Sequence, residues 1–202
     1  PWFADLARVL EDGCQERGLS LVLCNSNNRV DQEDSCLELL WNRRVDGVLL
    51  LSVSGRAPQS LMDRQRQSWP VVAFDRSYAA PNVDVVMADN YAGMTALLDH
   101  LVATGYRRFG HISTDDSLSA AAERRAAVVD GLARHGLPLL GEHEGDFTYE
   151  SGYAAARALL TTAPSIDVIV AENDLMAIGA LQYCTAEGMK VPGDIAIAGF
   201  DD

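Results

Sequence analysis

Two rhythms of apolar positions alternate along this chain. Phe3, Leu6, Ala7, Leu10 and Cys14 recur at helical spacing and stop at Gly18, where a left-handed cap ends a helix. The stretch LSLVLCN that follows is apolar throughout and runs into a polar cluster, which predicts a buried strand. Asp31 can cap a second helix reaching Arg43, with Leu37, Leu40 and Trp41 turned inward, and VDGVLLLS supplies another apolar strand.

The alternation continues through a helix near Ala57 to Ser68, the strand VVAF, and a short strand from Val85 to Ala88. A helix from Ala92 to Thr104 is closed by Gly105, a strand follows from Phe109 to Ser113, and a helix from Ala120 to His135 ends at Gly136. A strand near Glu144 to Phe147, a helix from Tyr149 to Thr161, the strand VIVAEND, a helix from Leu175 to Glu187 stopped by Gly188, and IAIAGFDD complete the series. Strands that are apolar throughout and separated by helices imply parallel sheets covered on both faces and joined by right-handed crossovers. The expected fold is α/β and doubly wound. The polar, proline-containing SYAAPNVD after Arg76 marks a change of sheet, so two lobes are expected, residues 1–86 and residues 87–202.

A chain of 202 residues, 48% of them hydrophobic, can bury roughly 70% of its unfolded surface and needs no staple. No apolar run reaches the roughly 18 residues of a membrane span, and PWFADLARVLED lacks the basic start and apolar core of a secretory signal. The formal charge of -13 repels phosphate backbones, so this segment is not expected to bind nucleic acid by itself. Cys14, Cys24, Cys36 and Cys184 form no C-x-x-C pair and read as reduced thiols in a cytoplasmic protein.

In open parallel sheets, ligands bind outside the carboxyl ends of the strands, where loops and helix N-termini gather. Four polar pairs fall there: Asp75 and Arg76 after VVAF, Asp89 and Asn90 after VVMA, Asn173 and Asp174 after VIVAE, and Asp201 and Asp202 after IAIAGF. Capping competes as the explanation for the Asp89 and Asn173 pairs, which directly precede helices. A salt bridge between lobes competes for the other two. His100, His111, His135 and His143 show no metal-ligand spacing, and no G-x-S-x-G, Walker or H-E-x-x-H pattern occurs. Hydrolysis, a metal and a nucleotide cofactor all lack a motif, so an enzyme and a cofactor are not expected.

The residues that carry these features resemble a known family. PWFADL, RRVDGVLLL, VMADNYAGM, HLVATGYRRFGHI, GDFTYESGYAAARALL, ENDLMAIGAL and VPGDIAIAGFDD, in this order, resemble the effector-binding domain of the LacI/GalR family of bacterial transcription regulators. The resemblance runs from end to end and implies two α/β lobes of the periplasmic-binding-protein type with a ligand in the cleft between them. It assigns Trp2 and Phe3 to packing on a sugar ring, Asp75 and Arg76 to its hydroxyls, and Arg124 to the ligand arginine, with Arg125 as the adjacent alternative. It assigns Phe147 to stacking, and Asn173 and Asp201 to the last polar contacts. Helix or strand core is the rival role for Trp2, Phe3 and Phe147, and a solvated helix face for the arginines.

Aromatic platforms beside acids, amides and arginine suit a polyhydroxylated ligand, because rings cover its C–H faces while planar groups each take two hydroxyls. The resemblance therefore implies a sugar or sugar-like effector, a homodimer, and operator DNA bound through an N-terminal segment not in this sequence. A complete member would also carry a first strand before Pro1 and more chain after Asp202. A periplasmic sugar receptor of a transporter is the rival from another class.

Overall fold

A computed structural model describes residues 2–54, 61, 69–75 and 83–201, the side chains of Trp2 and Phe3 excepted. The chain divides into two compact units, Pro1–Ala73 with Tyr78–Asp84, and Phe74–Ser77 with Val85–Asp202.

The first unit begins with α1 (Trp2–Gln15) and α2 (Val30–Asn42). Gly18 ends α1 at φ +71, which turns the Leu19 N–H back onto the Cys14 carbonyl at 2.9 Å. Three short strands, β1 (Val48–Leu50), β2 (Val71–Phe74) and β3 (Asp84–Val86), form one sheet in that order. β1 and β2 are parallel, with Val48 opposite Val71. Leu37, Val48, Leu50, Leu61, Trp69, Val71 and Ala73 make the core, and the Trp69 indole N–H is satisfied by the Val45 carbonyl at 3.1 Å.

The second unit runs α3 (Asn90–Ala103), β4 (Phe109–Ser113), α4 (Ser119–Arg134), β5 (Leu139–Glu144), α5 (Tyr149–Thr162), β6 (Val168–Ala171), α6 (Asp174–Ala186) and β7 (Ala196–Ala198). Its sheet is parallel, in the order β5-β4-β6-β7. Successive residues of β6 show why an unbroken apolar run was required. Val168 and Val170 pack with Met94, Leu98, Val128 and Leu132 of α3 and α4, while Ile169 and Ala171 pack with Ala155, Leu159, Met176 and Ala180 of α5 and α6. Helices cover both faces, as the doubly wound expectation required.

Three expectations are corrected. LSLVLCN forms no strand: residues 19–26 are irregular, and Leu23 is 76% exposed. Its composition suits a strand, but a strand exists only where a neighbour takes its backbone hydrogen bonds, and no described strand does so. Asp31 does not cap α2; the helix starts at Val30 with Arg29 in the cap position, and the Asp31 carboxylate pairs with Arg29 at 2.6 Å. The strand expected at Glu144 to Phe147 is instead β5, Leu139–Glu144, on the sheet edge. Its exposed side admits glutamates and a histidine, which hid it from a search for apolar runs. Of the helix expected at Ala57 to Ser68, only Leu61 lies among the described residues, and it is helical.

Candidate functional site

Arg124 is the centre of the polar cluster in the second unit. It sits on α4 within an apolar stripe that includes Ala120, Ala121, Ala127, Val128 and Gly131, so the helix phase carries it inward and leaves it 6% exposed. Such burial demands partners for the charge. Nε donates to Asn90 Oδ1 at 2.9 Å, Nη1 donates to the Glu172 carbonyl, and the guanidinium lies 4.2 Å from the centre of the Phe200 ring. Asp201 Oδ1 stands 3.6 Å from Nη1. Burial pulls the arginine below its ordinary range, and the charges of Asp201, Asp75, Glu172 and Asp174 oppose that pull. Among the described residues, Nη2 has no hydrogen-bond partner.

Arg125 points the other way. It is half-buried and holds Glu142 through two bonds of 2.8 and 2.9 Å, so it is committed to the surface of the sheet edge. Solvated-face behaviour thus fits Arg125 and not Arg124.

Asp75 ends β2 at φ +64, its N–H donating to the Val86 carbonyl at 2.9 Å. Its charge acts on both Arg124 and Asp201. Burial raises the Asp201 carboxyl from its ordinary value, and Arg124 works against that rise. Asp75, Arg124 and Asp201 therefore form one electrostatic group.

Asn173 and Phe147 form a second group. The Asn173 side chain caps α6 by accepting the Met176 N–H at 2.9 Å, and its amide donates to the Phe147 carbonyl at 3.1 Å. Asp89 likewise caps α3 by accepting from Ala92, so capping accounts for one member of each of those polar pairs. Phe147 adopts φ +66, and its partly buried ring packs on the core beneath α5 and α6. For a bulky residue such a φ costs on the order of 1 kcal/mol or more and persists only where the surroundings impose it. The two groups adjoin, because Glu172, whose carbonyl holds Arg124, directly precedes Asn173.

The structure thus places Asp75 and Asp201 in the electrostatic surroundings of Arg124 and joins Asn173 to Phe147. Arg76 and the side chains of Trp2 and Phe3 lie outside the described residues. Asn90, Glu172 and Phe200 complete the surroundings of Arg124 and were not singled out as site residues by sequence. Asn90 was visible as half of a strand-end pair; Glu172 and Phe200 were hidden inside apolar runs. Among the described residues, no group of His, Cys, Asp and Glu could hold a metal ion, and no helix is long and apolar enough to cross a membrane. A hollow of about 560 Å³ lined by Trp41, Asn42, Arg44, Val45 and Trp69 belongs to the first unit and contains none of these residues.

The family model described as periplasmic binding proteins and sugar binding domain of LacI family matches residues 1–202. The ribose operon repressor of Halalkalibacterium halodurans is 31% identical over 201 residues, covering 100% of this chain and 59% of the repressor. The CelR transcriptional regulator in complex with cellobiose superposes with a TM-score of 0.85 at 32% identity, covering 100% of this chain and 62% of that one. The Caulobacter myo-inositol binding protein bound to myo-inositol gives a TM-score of 0.90 at 28% identity, covering 100% and 71%. The chain spans about three fifths of the length of the curated relatives it matches.

Proposed function

We propose, since this chain belongs to the family of periplasmic binding proteins and LacI-family sugar-binding domains, that it is the effector-sensing part of a cytoplasmic DNA-binding transcription regulator. The observation that carries this reading is Arg124, buried yet held by Asn90, the Glu172 carbonyl and Phe200, with Asp75 and Asp201 beside it. An effector with several hydroxyls would receive hydrogen bonds from Arg124 and give them to Asp75 and Asp201, with Phe147 against its apolar face and Asn173 at its edge. By the family resemblance, Trp2, Phe3 and Arg76 would contact the same effector. The effector would lie between lobes of residues 1–86 and 87–202, and its preference for one arrangement of them would shift operator affinity through an N-terminal DNA-binding segment. A transport receptor draws support from the likeness to the myo-inositol binding protein; the curated relatives, named as repressors and regulators, favour the regulator.

Calorimetry with cellobiose, myo-inositol, D-ribose, D-glucuronate and adenine tests the site. At least one of the sugars or polyols binds, and Asp75→Asn, which tolerates the positive φ, weakens it about tenfold to a hundredfold through loss of charged hydrogen bonds. Binding to adenine alone, or sugar binding indifferent to Asp75→Asn, sinks the assignment.

The homodimer has a candidate face. On α6, Leu175, Ile178 and Leu181 are 45, 51 and 40% exposed and lie three residues apart, an apolar stripe turned away from the sheet. Sedimentation should show a dimer of the wild-type chain and a monomer for Ile178→Asp. A wild-type monomer at micromolar concentration, or a dimer untouched by the substitution, removes this face from consideration.

A further inference from the structure

Behind Arg124 the sheet buries a second set of ionisable groups that the effector reading does not use. His111 lies on β4 and Glu172 follows β6; both are 0% exposed. His111 Nε2 and Glu172 Oε1 face one another at 3.6 Å, and neither has a hydrogen-bond partner among the described residues. The other atoms of the two side chains are fully committed. Glu172 Oε2 accepts the Thr114 hydroxyl at 2.5 Å, and His111 Nδ1 stands 3.1 Å from Glu142 Oε1.

These contacts fix the tautomer. Glu142 is gripped by Arg125 through two bonds, and the hydrogen bonds from His111 and Arg125 lower its carboxyl to about 2, so it is an ionised acceptor at all ordinary pH values. Nδ1 of His111 must then be the donor to it. Nε2 is left either as a bare lone pair or, in the imidazolium, as a second donor. If Glu172 is ionised and His111 neutral, two lone pairs oppose each other in a site without solvent. If the Glu172 carboxyl keeps its proton, its O–H meets the bare lone pair of His111 Nε2, a donor facing an acceptor.

We propose that Glu172 holds a proton against the lone pair of His111 Nε2 and that the pair acts as a buried protonation switch behind Arg124. Proton loss leaves an anionic Glu172 on the residue whose carbonyl holds Arg124 and whose successor, Asn173, caps α6. Closing the 3.6 Å gap to hydrogen-bond length takes a shift of roughly 0.7 Å, which the protonated pair can make and the deprotonated pair resists. The switch stands whether or not Arg124 touches an effector.

The charged neighbours of Glu172 come from every side. His111 on β4 faces it directly, with Glu142 of β5 and Arg125 of α4 behind the imidazole; Arg124 of α4 favours its anion, and Asp116 in the loop before α4 opposes it. Burial outweighs them and pushes the Glu172 carboxyl up to about 7, while Thr114 and Arg124 pull it back. A carboxyl raised on folding contributes stability that is complete below its unfolded value, near 4.5, and is lost as pH climbs through about 7.

Nuclear magnetic resonance of the isotope-labelled chain between pH 5 and 9 tests the Glu172 proton directly. The Glu172 carboxyl carbon should titrate within a unit of 7, His111 should keep its Nδ1–H tautomer, and the His111 Nε2 and Arg124 Nε–H signals should move with that same midpoint. In parallel, the wild-type Tm should fall by roughly 5 °C more between pH 5 and pH 8 than that of Glu172→Gln, whose amide can donate to Nε2 at every pH. A Glu172 carboxyl titrating below pH 5, or His111 and Arg124 signals that ignore its midpoint, overturns the proposal. The wild-type titration alone separates these outcomes even if the variant fails to fold.

Discussion

Arg124→Ala should abolish detectable sugar binding and destabilise the second unit by about 3 kcal/mol. The loss of stability and the loss of binding have different causes. The first is structural: the substitution strips partners from Asn90 Oδ1 and from the Glu172 carbonyl, both buried, and empties the space beside the Phe200 ring. Each orphaned buried polar group costs on the order of 1–3 kcal/mol, and breaking a buried charge cluster by removing one partner costs about 3–5 kcal/mol. The half-exposed Asp201 recovers water and moderates the total. The second is functional: without the guanidinium, Asp75 and Asp201 repel one another across the place where hydroxyls would bind, and a loss of about 3 kcal/mol in a charged, two-pronged contact is a factor of about 100 in affinity.

Arg124→Lys separates the two losses. An ammonium restores the charge between the acids, but a single point donor cannot serve Asn90 and the Glu172 carbonyl with the geometry of the planar fork. It should recover about half of the stability and little of the binding, as read by urea denaturation and by calorimetry with whichever sugar the wild type binds. If Arg124→Ala melts like the wild type, the buried network is not what holds this corner together. If it binds sugar like the wild type, the arginine is structural only.

How much of this could be read from the residues depends on where each lies in the sheet. Central strands are buried on both faces, so β4 and β6 appear as apolar runs, and glycines with positive φ at positions 18, 105, 136 and 188 mark where helices stop. The edges mislead in both directions. LSLVLCN has the composition of a strand but no described partner, while β5 pairs along β4 with Gly141, Glu142, His143 and Glu144 in a sequence that looks like a loop. An apolar run becomes a strand only where a neighbour takes its backbone hydrogen bonds.

The site shows the same division. Asp75, Asn173 and Asp201 stand out in the sequence as candidates because each follows an apolar strand. Arg124 and Arg125 are adjacent and chemically identical, and only the helix phase parts them by about 100°. That signal was present in the sequence, since Ala121, Ala127 and Val128 place Arg124 and not Arg125 on the apolar stripe. His111 and Glu172 were not legible as a pair: they meet because β4 and β6 are neighbours in the sheet, with His111 opposite Val170, which spacing along the chain does not reveal.

Gly152→Ala should destabilise the second unit by more than about 3 kcal/mol, although alanine ordinarily favours a helix over glycine by roughly 1 kcal/mol. Gly152 on α5 and Gly179 on α6 are where the two helices touch backbone to backbone. A Cβ on Gly152 would fall on the carbonyl oxygen, Cα and carbonyl carbon of Met176, and one on Gly179 would meet the Tyr149 carbonyl oxygen and stand 2.7 Å from the Tyr153 nitrogen. No side chain can swing aside there, so the helices themselves must separate. Separation opens the layer of Ala155, Ala156, Leu159, Met176 and Ala180 that covers one face of the sheet, and overpacking of this kind typically costs about 1–3 kcal/mol before lost contacts are added. It also shifts the start of α6, where Asn173 caps the helix and holds the Phe147 carbonyl, so sugar binding should weaken along with stability. Gly13→Ala on α1 is the matched control. Its nearest contact is the flexible end of Arg17 at 3.8 Å, and there the intrinsic preference acts alone and should stabilise by about 0.5–1 kcal/mol. Opposite signs for the two alanines in urea denaturation establish that α5 and α6 are in backbone contact; equal gains would mean that the helices have room to spare, and that the placement of Asn173 does not depend on how closely they cross.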